Sequence, residues 1–223
     1  MVGVRDGRGA LWRICSRLVW TAFRLCFRVR VAGASWIPWT GPAIVAANHV
    51  SALDGIALAA VVSERRRRVT RYLVAAEFFE RWTVGWALRA FRQIPLRRGE
   101  RDAAALEEAV ATVRRGALVG IFPEGRVGDG TGLQPGRRGV ARIALAAGAP
   151  VVPTGIWGTQ RRWPRRGLHL RRPWRPALAI VFGPPLAPEG GVGSEADLPA
   201  FVERVMAAIA DQVEAARELA EAR

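Results

Sequence analysis

The sequence predicts a single α/β domain in which a mixed, mostly parallel central sheet is flanked by helices and preceded by an N-terminal amphipathic helix. Three observations carry this reading. Short uncharged runs such as Pro42 to Ala47 and Ala117 to Phe122 suit buried strands, and Ala177 to Phe182 suits another strand. Longer segments of helical period lie between them and close at a glycine or a pair of arginines. The chain has 223 residues and 50% hydrophobic content, enough for one sizeable core.

Residues 11 to 29 place Arg13, Arg17, Arg24 and Arg28 within about a 60° arc of a helical wheel, opposite an apolar face that includes Leu11, Ile14, Leu18 and Leu25. Such a helix suits a membrane interface, or packing on the domain. Its longest uncharged run, Leu18 to Phe23, falls far short of the ~20 residues that cross a bilayer. Arg24 and Arg28 also interrupt the apolar region, which argues against a cleaved signal peptide. Residues 1–30 are therefore assigned to this helix and 31–223 to the domain.

Arg28 to Val31 is expected to begin a strand, and Trp36, Pro38, Gly41 and Pro42 form a turn into the next. That strand ends in Asn48, His49 and Ser51. On one continuous helix His49 and Asp54 would stand about 140° apart, so a contact between them requires the pair to straddle the turn into the following helix. With Ser51 as N-cap, Asp54 falls where its carboxylate folds back towards His49. A histidine held by a carboxylate is a general base near neutral pH; the alternative is a capping box beside a satisfied polar histidine. The run Glu64 to Arg68 ends this helix with four arginines read as solvated.

Thr70 to Ala76 reads as a strand, Glu77 to Phe91 as helical turns, QIPLRRG as a short strand or turn, and Asp102 to Arg115 as a helix. The strand Ala117 to Phe122 runs into Pro123, Glu124, Gly125 and Arg126, and glycine followed by arginine at a strand end suits an anion. Gly128, Gly130 and Gly132 complete neither a P-loop nor a dinucleotide fingerprint. A helix from Arg137 to Ala147 follows, then a strand in PVVPTGIWG whose two prolines suggest a sheet edge or an end. Residues 161–176 alternate arginine pairs with Trp163 and Trp174, which suits lipid headgroups, nucleic acid or a solvated loop. After the strand Ala177 to Phe182, a glycine-rich link at 190–193 leads to a final amphipathic helix.

The net charge of +15 is carried by arginine without a single lysine, favouring anionic partners. Cys15 and Cys26 would lie about 16 Å apart along one helix, too far for a disulfide, and fit a reducing compartment. Neither histidine, His49 nor His169, has a cysteine at zinc-site spacing, so no metal is expected.

NHVSALD, RQIPLRR, IFPEGR and VVPTGIWG, taken in that order, resemble the four sequence blocks of the glycerolipid acyltransferases, the family of bacterial lysophosphatidic acid acyltransferases. The resemblance covers about residues 30 to 185, with the blocks between 41 and 160. The third block differs from the commoner FPEGTR form in having Arg126 directly after Gly125, and the second has Arg97 where an acidic residue is common. The resemblance implies transfer of a fatty acyl group from acyl-CoA or acyl carrier protein to a lysophospholipid hydroxyl. The acceptor it favours is 1-acylglycerol-3-phosphate, giving phosphatidic acid, without covalent intermediate, metal or cofactor. His49 would be the general base, Asp54 its orienting carboxylate, and backbone donors would hold the oxyanion. Arg98 and Arg126 would bind the acceptor phosphate, with Glu124 and Gly125 shaping the loop. The resemblance also implies a peripheral, monotopic enzyme on an anionic surface at the cytoplasmic face of the cell membrane, with no nucleic-acid partner.

Two other classes account for parts of the sequence. A non-catalytic nucleic-acid binder would use the charge and the Arg/Trp segment but leaves His49, Asp54 and the PEGR turn without a role. A membrane scaffold would use the N-terminal helix alone.

Overall fold

The computed structural model describes residues 9–97, 103–129, 132–165, 167–169, 174–188 and 197–222. The first half of the chain forms α1 (Ala10–Cys26), β1 (Arg28–Ala32), β2 (Ala43–Ala47), α2 (Asp54–Arg66), β3 (Thr70–Ala75), α3 (Glu77–Glu80), α4 (Trp82–Ala90) and β4 (Ile94–Leu96). The second half adds α5 (Ala103–Arg114), β5 (Leu118–Ile121), α6 (Gly139–Ala147), β6 (Val151–Trp157), β7 (Ala177–Phe182) and α7 (Leu198–Glu221). Short 3-10 turns follow β1 and β6. The glycine-rich link at 190–193 lies outside the described residues.

Among the described residues, seven strands form one sheet in the order β1-β7-β6-β2-β5-β3-β4. Every pairing is parallel except β6 with β7, so the α/β class and the mixed, mostly parallel sheet are as the sequence predicts. Since β1 is parallel to β7, these two strands run against the other five. Side chains of β2 alternate between two cores. Ile44 and Ala46 enter one with α5, α6 and α7, while Ala43, Val45 and Ala47 enter the other with α2 and with Phe23 and Phe27. Full burial on both faces is why β2 carries no charge. A third small cluster sets Ala177 and Ala179 of β7 against Ala216 and Ala220, so α7 lies close to the sheet. Its closest approach is at Gly155, where a Cβ would stand 2.0 Å from the carbonyl oxygen of Gln212.

The N-terminal helix divides its surface in two. Phe23 packs inward, with Phe27 stacked on it at 5.7 Å, whereas Leu11, Ile14, Leu18 (65% exposed) and Leu25 (68% exposed) form a separate apolar stripe facing outward. The helix is shorter than its periodicity predicts: it stops at Cys26, and Arg28 and Val29 belong to β1 because pairing with Ala177 and Leu178 overrides the helical pattern. Cys15 and Cys26 are both free thiols.

Two other expectations are corrected. Of the four arginines at the end of α2, Arg68 is not solvated; it is 2% exposed and donates to the carbonyls of Pro38, Gly41 and Gly116, joining the segments that lead into β2 and β5. A guanidinium spreads its donors widely enough to serve three carbonyls from one buried position. Pro150 does stand at an end, just before β6, but the edge reading fails: β6 is interior, between β7 and β2, and contains Pro153. Pro153 accepts from Gly183 N–H at 2.8 Å, so its own nitrogen faces the β7 side, where the ladder begins only at Thr154.

Candidate active site

Register brings three connections to one edge of the sheet. Ala47 of β2 pairs with Thr154 of β6, and Ala46 pairs with Ile121 of β5. The residues that follow these strands, Asn48–His49, Pro123–Arg126 and Gly158–Thr159, therefore gather together, at the strand ends where α/β sheets collect ligand-binding loops. Asn48 extends the pairing of β2 past the ladder: its side chain donates to Ile156 O at 3.0 Å and accepts from Ile156 N–H at 2.7 Å.

His49 and Asp54 meet across the turn, with Nδ1 to Oδ2 at 3.0 Å. The helix starts later than the capping-box reading places it, since Asp54 is its first residue and Ser51 is not the N-cap. Ser51 instead accepts from Leu53 N–H and donates to the carbonyl of Trp163. Asp54 is fully buried, and four donors converge on its carboxylate. The backbone N–H groups of Val50 and Ser51 (both 2.7 Å) and His49 Nδ1 reach Oδ2, while Thr159 Oγ1 reaches Oδ1 at 2.6 Å. With four donors converging on it the carboxylate acts only as acceptor, so Nδ1 carries the ring proton and Nε2 is the basic nitrogen. The imidazole stays 18% exposed and stacks on Phe122, 4.2 Å between centroids and 15° between planes. Tyr72 stacks in turn on Phe122, and burial holds its hydroxyl well above the ordinary phenol range.

The PEGR turn is bound to the same loop. Glu124, 3% exposed, accepts from His49 N–H at 2.6 Å through Oε1 and from Gln134 N–H at 3.0 Å through Oε2. It shapes the loop by holding two backbone segments and does not reach Arg126. Burial pushes its carboxyl above the usual value, against the pull of those two donors. Gly125 takes φ +70, and a Cβ there would stand 2.8 Å from Arg137 Nε, so the turn requires glycine. Arg126 is exposed at the rim, its Nη2 3.5 Å from Gln134 Oε1. Arg98 lies outside the described residues.

Sequence reasoning identified His49 and Asp54 as a pair but missed Thr159, the bridging role of Asn48 and the Phe122 stack. Asn48 and Phe122 adjoin named motif residues and could have been suspected. Thr159 is separated from Asp54 by 105 positions and carries no local signal.

The profile of the family described as Acyltransferase matches residues 28–157, more than half of the chain. An uncharacterized protein of Mycobacterium leprae is 33% identical over 153 residues, which is 64% of this chain and 40% of that protein. A 1-acyl-sn-glycerol-3-phosphate acyltransferase of Neisseria gonorrhoeae is 32% identical over 133 residues, 58% of this chain and 48% of that one. The chain thus spans less than half the length of either relative. Among solved structures, the 1-acyl-sn-glycerophosphate acyltransferase PlsC of Thermotoga maritima superimposes with a TM-score of 0.70 at 26% identity, covering 95% of this chain and 80% of that one.

Proposed function

The chain belongs to the acyltransferase family, and on that premise we propose that it moves a fatty acyl group from acyl-CoA or acyl carrier protein to the free hydroxyl of 1-acylglycerol-3-phosphate. The observation that carries this is the buried Asp54 carboxylate beneath His49, which accepts from Nδ1 and leaves Nε2 free to act as base. In the reaction, Nε2 takes the proton of the acceptor hydroxyl as its oxygen attacks the thioester carbonyl. Collapse of the tetrahedral intermediate breaks the C–S bond, and the imidazolium returns its proton to the departing thiolate. Asp54 keeps the ring in the required tautomer throughout. The step needs no metal or cofactor. Arg126 at the rim, together with Arg98, binds the acceptor phosphate.

The reaction takes place on the cytoplasmic face of an anionic membrane. No helix among the described residues is long and apolar enough to cross a bilayer. What supports surface binding is the outward stripe Leu11, Ile14, Leu18 and Leu25, flanked by Arg13, Arg17 and Arg24. Trp174, also exposed, adjoins Arg175, which donates to the carbonyls of Arg24 and Phe27 and so joins the Arg/Trp segment to the end of α1.

The test is purified protein assayed with acyl-CoA and acyl carrier protein against a panel of lysolipids. Turnover of lysophosphatidic acid, lost in His49→Ala while vesicle binding persists, is the expected result. Absence of turnover with every donor and acceptor, alongside steeply salt-dependent DNA binding, would replace this reading with a nucleic-acid binder.

A further inference from the structure

Thr159 stands on the first turn after β6, fully buried, and directs its hydroxyl at Asp54 Oδ1. We infer that Thr159 is a positioning residue for the His49–Asp54 pair, holding the carboxylate so that its other oxygen faces Nδ1. This deepens the general-base reading and rests on it.

The geometry leaves the hydroxyl little else to do. Oδ2 already receives two backbone N–H groups and the imidazole, whereas Thr159 is the donor that holds Oδ1. Without it the buried carboxylate keeps one oxygen unsatisfied and its plane is less firmly set against the imidazole, which Oδ2 still faces through its two backbone donors. The contact also crosses the sheet edge. The Thr159 carbonyl accepts from Arg162 N–H and Trp163 N–H, and the Trp163 carbonyl accepts from Ser51 Oγ, so the start of the Arg/Trp segment is fastened to the catalytic turn at two points. Among the described residues, the other titratable groups facing the pair are Glu124 from the PEGR turn and Tyr72 from β3. Both remain in every variant below.

A hydrogen bond to the ionised carboxylate disfavours uptake of a proton by the pair, so its loss moves the pair's titration to higher pH. Thr159→Val keeps the shape and removes the donor; Thr159→Ser keeps the donor. With Thr159→Val the acid limb of the kcat profile should move up by about one pH unit and kcat should fall about tenfold, with acceptor KM little changed. Thr159→Ser should restore both. An independent readout is the NMR titration of the His49 ring, assigned with His49→Ala, since His169 is the only other histidine. Its midpoint should move in the same direction in Thr159→Val and not in Thr159→Ser.

A midpoint that stays unmoved or falls in folded Thr159→Val overturns the inference, whether or not the protein shows activity. A lowered Tm with an unmoved midpoint would make Thr159 merely structural. If Thr159→Val does not fold, Thr159→Ala is titrated instead and read by the same criterion. Absence of acyl transfer in the wild type, with the midpoint shifted as expected, would sink the general-base reading and leave Thr159 as a partner of Asp54.

Discussion

Glu124 Oε1 lies 2.6 Å from the backbone nitrogen of His49, a contact between residues 75 positions apart that ties the PEGR turn to the end of β2. Because burial holds this carboxyl above its ordinary value, the folded state keeps the Glu124 proton to higher pH than the unfolded chain does. The contribution of the group to stability is therefore largest below the ordinary carboxylate value and declines as pH rises through the raised one. Glu124→Gln removes that titration and offers only one acceptor oxygen for two N–H groups, so it should cost roughly 1–3 kcal/mol near neutral pH. In urea unfolding, the stability gap between wild type and Glu124→Gln should narrow with rising pH across that window. Parallel pH curves would mean that Glu124 is not the group titrating.

His49→Ala and Asp54→Asn should each lower acyl transfer by about a hundredfold or more while the fold is retained, the usual scale of a lost general base. Near-wild-type turnover by folded His49→Ala would eliminate the mechanism.

Arg126→Ala should raise acceptor KM about tenfold or more for lysophosphatidic acid, since it removes charge-assisted hydrogen bonds worth roughly 1.5–3 kcal/mol. The same is expected of Arg98→Ala. Donor KM should change far less, and an acceptor lacking the phosphomonoester should lose little. Equal losses with both acceptors would assign these arginines to the donor or the fold.

On α1, Ile14 and Leu18 both face outward and take no part in the core, so Ile14→Glu with Leu18→Glu should weaken vesicle sedimentation without unfolding the domain. Charge reversal at Arg13, Arg17 and Arg24 should release the protein from anionic vesicles in particular, each near-surface charge contributing on the order of 1 kcal/mol. Sedimentation unchanged by both sets would assign the stripe to something other than lipid.

Gly155→Ala tests the packing of α7. The added methyl meets Gln212 backbone at 2.0 Å and the helix must shift, at a cost of roughly 1–3 kcal/mol. The midpoint of thermal unfolding should fall by roughly 3–10 °C. An unchanged Tm would mean that α7 yields freely.

The strands were legible because a sheet covered on both sides leaves runs such as Ala43–Ala47 no room for charge. The polarity of each strand was not, since nothing local distinguishes β7, antiparallel to β6, from a strand laid the other way. His49 and Asp54 were legible as a pair because they are close in sequence and joined by one turn. Thr159 and the buried Arg68 were not, because each acquires its role from segments far away in the chain. A cation at the end of an arginine run has the same local signature whether it is solvated or holds three carbonyls.

Because β1 and β7 run against the other strands, the chain leaves α1 at the same edge of the sheet on which His49 sits, with Arg175 bonded across to Arg24 and Phe27. An enzyme held on a bilayer by that edge meets its acceptor by lateral diffusion, a search in two dimensions. Its rate would then follow the mole fraction of acceptor within the surface and not the bulk molarity. Diluting vesicles of fixed composition would leave turnover per bound enzyme unchanged, whereas diluting the acceptor with inert lipid inside each vesicle would slow it.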